Sequence, residues 1–459
     1  MLDYDLVIIG GSAAGRYAAA SAIALNARVA LVEQGMSAND DALYSRSLRH
    51  SLQKGETWEN AIAHAHHNVA TYAQENALEA LAVLGVDIID GQGGFCRLPQ
   101  QAFIINHRRL RSRSYLLATG SRFTLPRLNG DIPLKALTPT DLWQIPNLEA
   151  LPDKITLLGS SPLALEIAQI LTHFGKNIIL AVAESSLLPL EDAEIVRWLQ
   201  AHLEAQGIQI LTNSPIHQVQ IIDNQPWLQL GDTAIEASCT IVAAETHPHI
   251  EGLNLEGVGV QLYQNQLQVN EKLQTTNRQI YACGSLGGGY RLPHLAQAEA
   301  TVALKNALFW PKFEIDYRPI PWAIFTEPNF ASVGLSEAQA RQRYGKQVMV
   351  IRHFFKQNAQ AIITEANDGF IKLILRENGE ILGAKVLGQD GAEIINLVAL
   401  AIQQRLKLKQ LAKLSAIAPS LGAILPESAI AYQQKARSSQ KRLKAWRETW
   451  YSLCRRWFS

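Results

Sequence analysis

Leu6-Val-Ile-Ile9, Gly10-Gly-Ser-Ala-Ala-Gly15, an alanine-rich run from Arg16 to about Asn26, and Arg28-Val-Ala-Leu-Val32 ending on Glu33 decide the fold. A short apolar run bounded by glycine is the pattern of a parallel strand buried on both faces. The glycines allow a tight turn, and the helix behind them aims its free N–H groups at an anion. A carboxylate about twenty residues past the turn suits a ribose diol. Together these parts make a βαβ dinucleotide-binding unit. The next segment, Asp40-Asp-Ala-Leu-Tyr-Ser-Arg-Ser-Leu-Arg-His50, carries charge, hydroxyls and a ring, but no thiol.

The layout occurs twice. Ile155-Thr-Leu-Leu158 reads as a strand, Gly159-Ser-Ser-Pro-Leu-Ala164 as the turn, Leu165 to Gly175 as the helix and Asn177 to Val182 as the next strand. Ile195, Trp198, Leu199 and Leu203 then fall at helical spacing, and strands are expected at 208–211 and 239–244. Ile280-Tyr-Ala-Cys-Gly284-Ser285 and the glycines after it form a further loop suited to close backbone approach. From about Tyr317 alternating strands at 347–355, 369–375 and 381–387, with helices at 390–404 and 408–414, suggest an α+β module.

At 459 residues the chain exceeds one hydrophobic core. It is 47% apolar and 18% charged, the balance of a soluble globular protein. No window approaches the ~18 uninterrupted apolar residues of a membrane span. Asp3 and Asp5 stand where an export signal would be basic, so none is expected. Cys96, Cys239, Cys283 and Cys454 are widely spaced and read as reduced thiols of a cytoplasmic protein, with no metal centre. His64, His66 and His67 read as a solvated helix face, Cys283 as an inert thiol, and Trp143, Trp227 and Trp310 as packing residues.

Two nucleotide-binding units in this order, with Tyr115-Leu-Leu-Ala-Thr-Gly-Ser121 and the Tyr-Ala-Cys-Gly-Ser loop, resemble the pyridine nucleotide–disulfide oxidoreductases. Pro321-Trp-Ala-Ile-Phe-Thr-Glu-Pro-Asn-Phe-Ala-Ser-Val-Gly-Leu-Ser-Glu337 is similar to the opening of that family's dimerisation domain. The resemblance implies an α/β homodimer with two Rossmann-like dinucleotide-binding domains and an α+β dimerisation domain. Residues 1–150 with 253–317 would form the FAD-binding domain, 151–252 the NAD(P)-type domain and 318–431 the dimerisation domain. It implies FAD on Gly10, Ser12, Gly15, Glu33, Thr119, Gly120, Gly284 and Ser285, and NADH on Gly159, Ser161 and Ala164. Glu166 matches the family's glutamate near the flavin–nicotinamide contact, and His50 falls near that glutamate's usual lysine partner. These two are the candidate catalytic residues, against a solvated glutamate and a surface histidine.

The departures from the family separate two functions. Its redox cysteines would fall near Asp41 and Arg46, and its C-terminal His-Pro…Glu on Ala418-Pro419 to Ala423. Disulfide exchange requires a thiolate, so a disulfide reductase is excluded. Ser12 replaces the middle glycine of the first turn, Ser161 that of the second. Val182 stands at the ribose carboxylate position, with Glu184 two residues on, and Ser285 replaces an aspartate that holds the ribityl chain. The expected function is an FAD-dependent oxidoreductase moving electrons from NADH to a non-disulfide acceptor. Its rival is a non-catalytic dimeric binding or assembly module at a membrane surface.

Residues 432–459 carry a net charge of +7 against −6 for the rest of the chain. Leu443, Trp446, Trp450, Leu453 and Trp457 form one helical stripe flanked by Lys and Arg. A basic, Trp-bearing amphipathic helix suits an anionic membrane surface, making the protein cytoplasmic and peripheral. Packing on its own dimer and docking on an acidic partner are the competing readings. No nucleic-acid module accompanies the patch.

Overall fold

The computed structural model describes residues 2–35, 40–75, 77–124, 136–223, 225–244, 246–264, 266–288, 291–439 and 449–455. The chain divides into two units, Met1–Leu187 with Leu203–Ile315, and Leu188–His202 with Asp316–Ser459. Residues 188–202, placed by sequence in the second nucleotide-binding domain, therefore pack with the C-terminal part.

In the first unit, β1 (Tyr4–Ile9), α1 (Ala13–Ala24) and β2 (Val29–Glu33) build the expected βαβ turn. The parallel sheet runs Ile280–Ala282, Ser112–Leu117, β1, β2, Asp87–Asp90. Leu6, Val7, Ile8 and Ile9 are fully buried because both faces are covered. Leu6 and Ile8 face Ala18, Ala19 and Ala22 of α1 and Ala300, Ala303 and Leu304 of the helix Pro293–Leu308. Alanine at these positions lets the helix backbones approach the strands. Val7 and Ile9 pack instead on Phe95, Phe103 and Tyr115.

The second parallel sheet runs Gln209–Leu211, Asn177–Ala181, Lys154–Leu158, Thr240–Val242. The helix Pro162–His173 follows its first strand and is buried from Pro162 to Leu171 except at Leu163. Two antiparallel sheets, at 93–110 and 216–236, extend the expected pattern. Two further helices, α2 (Asp41–Gln53) and α3 (Trp58–Glu75), occupy the segment after the first turn.

The second unit holds a five-stranded antiparallel sheet, Trp322–Ile324, Asn329–Gly334, Ile381–Gly388, Phe370–Arg376, Val348–Phe354. Its apolar residues Val333, Ile371, Leu373 and Val386 share a core with Ile394, Ile395 and Val398 of the helix Gly391–Gln403. A polar row, Ser332, Lys385, Lys372 and Arg352, crosses four adjacent strands in register. Lys372 and Lys385 are almost wholly buried. Lys385 meets Glu191 at 2.8 Å, and Lys372 meets Asp192, Glu194 and Glu337 at 2.9, 2.8 and 2.7 Å. Arg352 forks onto both oxygens of Glu194. Cations buried in a sheet are tolerated only with such partners.

Trp310 departs from its reading as a packing residue: it is 80% exposed. Residues 449–455 are helical, with Trp450 and Leu453 about half exposed. Leu443, Trp446 and Trp457 lie outside the described residues. Among the described residues no helix is long and apolar enough to cross a membrane.

Candidate active site

β1 delivers Gly10 at φ +108°, where a Cβ would lie 2.5 Å from the Ala118 carbonyl oxygen. A Cβ on Gly15 would meet the Gly10 oxygen at 2.1 Å, so the helix can close on the strand only through glycine. The Glu33 carboxylate occupies the space beside Gly11, 1.7 Å from where a Cβ would stand. Ser12 caps α1, its hydroxyl accepting from the Gly15 N–H at 3.3 Å. The serine in place of glycine is thus absorbed as an N-cap. The neighbouring strand ends in Ala118-Thr119-Gly120, and the buried Thr119 hydroxyl has no hydrogen-bond partner among the described residues. Ser121 donates to Ser285 at 2.7 Å, and the Gly284 N–H donates to Glu299 at 2.6 Å. Turn, orphan hydroxyl and serine pair stand at the carboxyl ends of parallel strands, where open α/β sheets bind nucleotides. These residues fit FAD.

The second turn repeats the device. Gly159 has φ +120°, and a Cβ there would lie 2.4 Å from the Ala244 Cα. The Ser161 hydroxyl accepts from the Ala164 N–H at 3.1 Å and donates to the Ala243 carbonyl at 2.6 Å. It is drawn down onto the sheet, and Ala164 is fully buried. Val182 is buried, whereas Glu184 is exposed just beyond the strand end.

On α2 the segment without thiols forms a connected polar cluster. Asp41 is buried, accepts from the Trp143 indole at 2.9 Å and pairs with Arg291 at 3.1 Å. The Arg291 guanidinium lies 4.8 Å over the Phe123 ring, and burial lowers its pKa against the pull of Asp41. One turn on, the buried Ser45 hydroxyl donates to Glu166. Arg49 donates to Gln169 at 2.8 Å, completing the seam between α2 and the helix Pro162–His173. The expected pairing of Glu166 with His50 is therefore corrected: Ser45 holds Glu166, and His50 is exposed near the end of α2.

Tyr44 stacks on Trp143 at 5.6 Å and meets His66 of α3 at 3.0 Å. His66 is thus part of the cluster, while His64 pairs with Glu56 at 2.8 Å. Among the described residues no group of three His, Cys, Asp or Glu can hold a metal. Cys283 is buried and its thiol pushed far up by that burial, the state of an inert side chain. Sequence reading missed Arg291, Trp143 and the tyrosine–histidine contact. The available signal was the spacing of Asp41, Tyr44 and Ser45, which share one face of a helix.

Residues 4–300 match the model of the pyridine nucleotide-disulphide oxidoreductases, and residues 320–429 that of their dimerisation domain. The chain belongs to this family. Pyridine nucleotide-disulphide oxidoreductases are FAD-dependent and use NAD(P)H, the cofactors expected from the two turns. The dimerisation domain supports a homodimer. The chain is 27% identical to mercuric reductase of Staphylococcus aureus, over 89% of this chain and 79% of that protein. It is 29% identical to dihydrolipoyl dehydrogenase of Synechocystis, over 93% of this chain and 98% of that one. Among solved structures it resembles the Cu(II) complex of the HOCl-induced flavoprotein disulfide reductase RclA from Escherichia coli. The TM-score is 0.82 at 24% identity, covering 94% of this chain and all of that one, which shows the shared fold.

Proposed function

We propose that this family member is an FAD-dependent oxidoreductase that takes reducing equivalents from NADH and passes them to a non-disulfide acceptor. The observation that carries the reading is the face of α2, where Asp41 is locked to Arg291 and Trp143, and Ser45 to Glu166. No cysteine stands anywhere in that helix. Gly10, Gly11, Gly15 and Glu33 would hold the adenosine end of FAD, and Thr119 and the Ser121–Ser285 pair its inner part. Gly159, Ser161, Ala164 and Glu184 would receive NADH. Bound FAD supplies the two-electron chemistry. The chain supplies orientation, a buried cation at Arg291 and exclusion of water around Asp41.

The test is the anaerobic visible spectrum of the purified protein before and after NADH. A flavin spectrum that bleaches is expected. A colourless protein that refuses added FAD would leave the dimeric binding module as the function. The half-exposed Trp450 and Leu453, in a basic tail, favour attachment of the dimer to an anionic membrane from the cytoplasmic side. Removing residues 433–459 should abolish sedimentation with anionic vesicles while keeping the dimer. Loss of the dimer would instead favour a tail packed on its own protein.

A further inference from the structure

Between α2 and α3 runs a polar chain that the reading above does not use. The Tyr44 hydroxyl lies 3.0 Å from His66 Nδ1, and His66 Nε2 lies 2.9 Å from the Trp143 carbonyl. A carbonyl only accepts. In the neutral ring Nε2 therefore carries the proton, and Nδ1 accepts from the Tyr44 hydroxyl. The rings hold one another in place: Tyr44 lies parallel to the Trp143 indole, at 7°, and His66 meets Tyr44 edge-on at 5.2 Å. Trp143 in turn donates to Asp41, which binds Arg291. Arg291 covers Phe123, two residues beyond the Ser121–Ser285 pair. Direct contacts thus join the tyrosine–histidine pair to Phe123, two residues along the chain from the edge where the cofactor fits.

The charged groups about Tyr44 are Asp40 just before its own helix, Asp41 on that helix, Arg291 through Asp41, and His66 on α3. Burial first, and the two acids second, hold the Tyr44 phenol above its ordinary value. The hydroxyl therefore keeps its proton through the neutral range and is available as a donor.

We propose that Tyr44 and His66 deliver the proton that a two-electron carbonyl acceptor of the quinone class takes up at its oxygen. This rests on the oxidoreductase reading above. NADH releases a hydride, which is two electrons and one proton. A quinone becoming a hydroquinone takes two electrons and two protons, so one further proton has to be supplied. With His66 doubly protonated, Nδ1–H donates to the Tyr44 oxygen and the phenol O–H is freed for the acceptor. The phenol O–H bond breaks as the acceptor O–H bond forms. The Nδ1 proton then restores the phenol, and the neutral imidazole is reprotonated from water.

The experiment uses the whole flavin-loaded dimer, with NADH as donor and either a water-soluble naphthoquinone or ferricyanide as acceptor. Ferricyanide takes single electrons and no proton. Tyr44→Phe, which preserves the stack on Trp143, and His66→Gln should each lower kcat with the quinone by about 10²-fold, the range of general acid catalysis. The ferricyanide rate should fall far less. An unchanged quinone-to-ferricyanide ratio in both variants would overturn the proposal alone. Failure of NADH to reduce the flavin of the unmodified protein would overturn the oxidoreductase reading and this proposal with it. A second readout needs no turnover. The ring-carbon NMR shifts of His66, assigned with His66→Gln, should report the Nε2–H tautomer of the neutral ring and move in Tyr44→Phe. An Nδ1–H tautomer would refute the relay.

Discussion

The turn at Gly10–Gly15 and the buried face of α2 belong to one unit, yet they have diverged from their family in opposite ways. At the turn, the requirement is steric. Gly10 and Gly15 have no room for a Cβ, and the one substitution, Ser12, is accommodated as a helix cap. On α2 the requirement was chemical, and it has been replaced outright. An ion pair and a serine–glutamate bond stand in the region where the family carries a dithiol. The difference teaches that a nucleotide-binding frame can be kept by backbone constraint while the reactive groups beside it change.

Breaking the steric half should have the largest effect. Gly10→Val forces a side chain against the Ala118 carbonyl in a left-handed conformation, a cost of about 2–5 kcal/mol. The purified variant should carry no flavin by absorbance. Breaking the chemical half should cost less and spare the cofactor frame. Asp41→Ala leaves the Arg291 guanidinium, 16% exposed, without its carboxylate. A loss of about 3 kcal/mol in urea unfolding is expected, and wild-type stability would show the ion pair to be dispensable.

The frame was legible in the sequence because it is local. Apolar runs, glycine turns and alanine-rich helices recur at short spacing, and β1, β2 and α1 fall where those patterns place them. The α2 cluster was not legible, because Trp143 and Arg291 reach Asp41 from 102 and 250 residues away. No periodicity records such contacts. The same limit applied to His50, whose position in sequence pointed to Glu166 while Ser45, on the buried face of the same helix, took the bond. The sheets at 93–110 and 216–236 escaped notice because their strands, Ala102–Ile105 apart, are only partly buried.

Buried charge elsewhere sharpens the contrast. In the C-terminal unit, the Arg352 fork, with help from Lys372 and against burial, holds the Glu194 carboxyl down to about 2. A carboxyl depressed in the folded state adds stability that is full above the ordinary carboxylate range and is lost as pH falls through about 2. The acid limb of the melting profile should carry up to about 3 kcal/mol from this group. Glu194→Gln should lower Tm at neutral pH and flatten that limb; a limb of unchanged slope would assign acid unfolding elsewhere. The smallest effect belongs to the serine pair. Ser285→Asp replaces a neutral hydrogen bond with a charge-assisted one and should tighten FAD by about 1 kcal/mol. Flavin release on dilution measures it, and unchanged release would remove Ser285 from the cofactor site.

An oxidoreductase whose flavin works without a protein disulfide is distinguished by counting electrons. In an anaerobic titration of the holoprotein, each NADH brings two electrons. A flavin acting alone should be fully reduced at one equivalent of NADH per FAD. A requirement for two equivalents would reveal a hidden redox disulfide and contradict the account, and so would a flavin that NADH does not reduce.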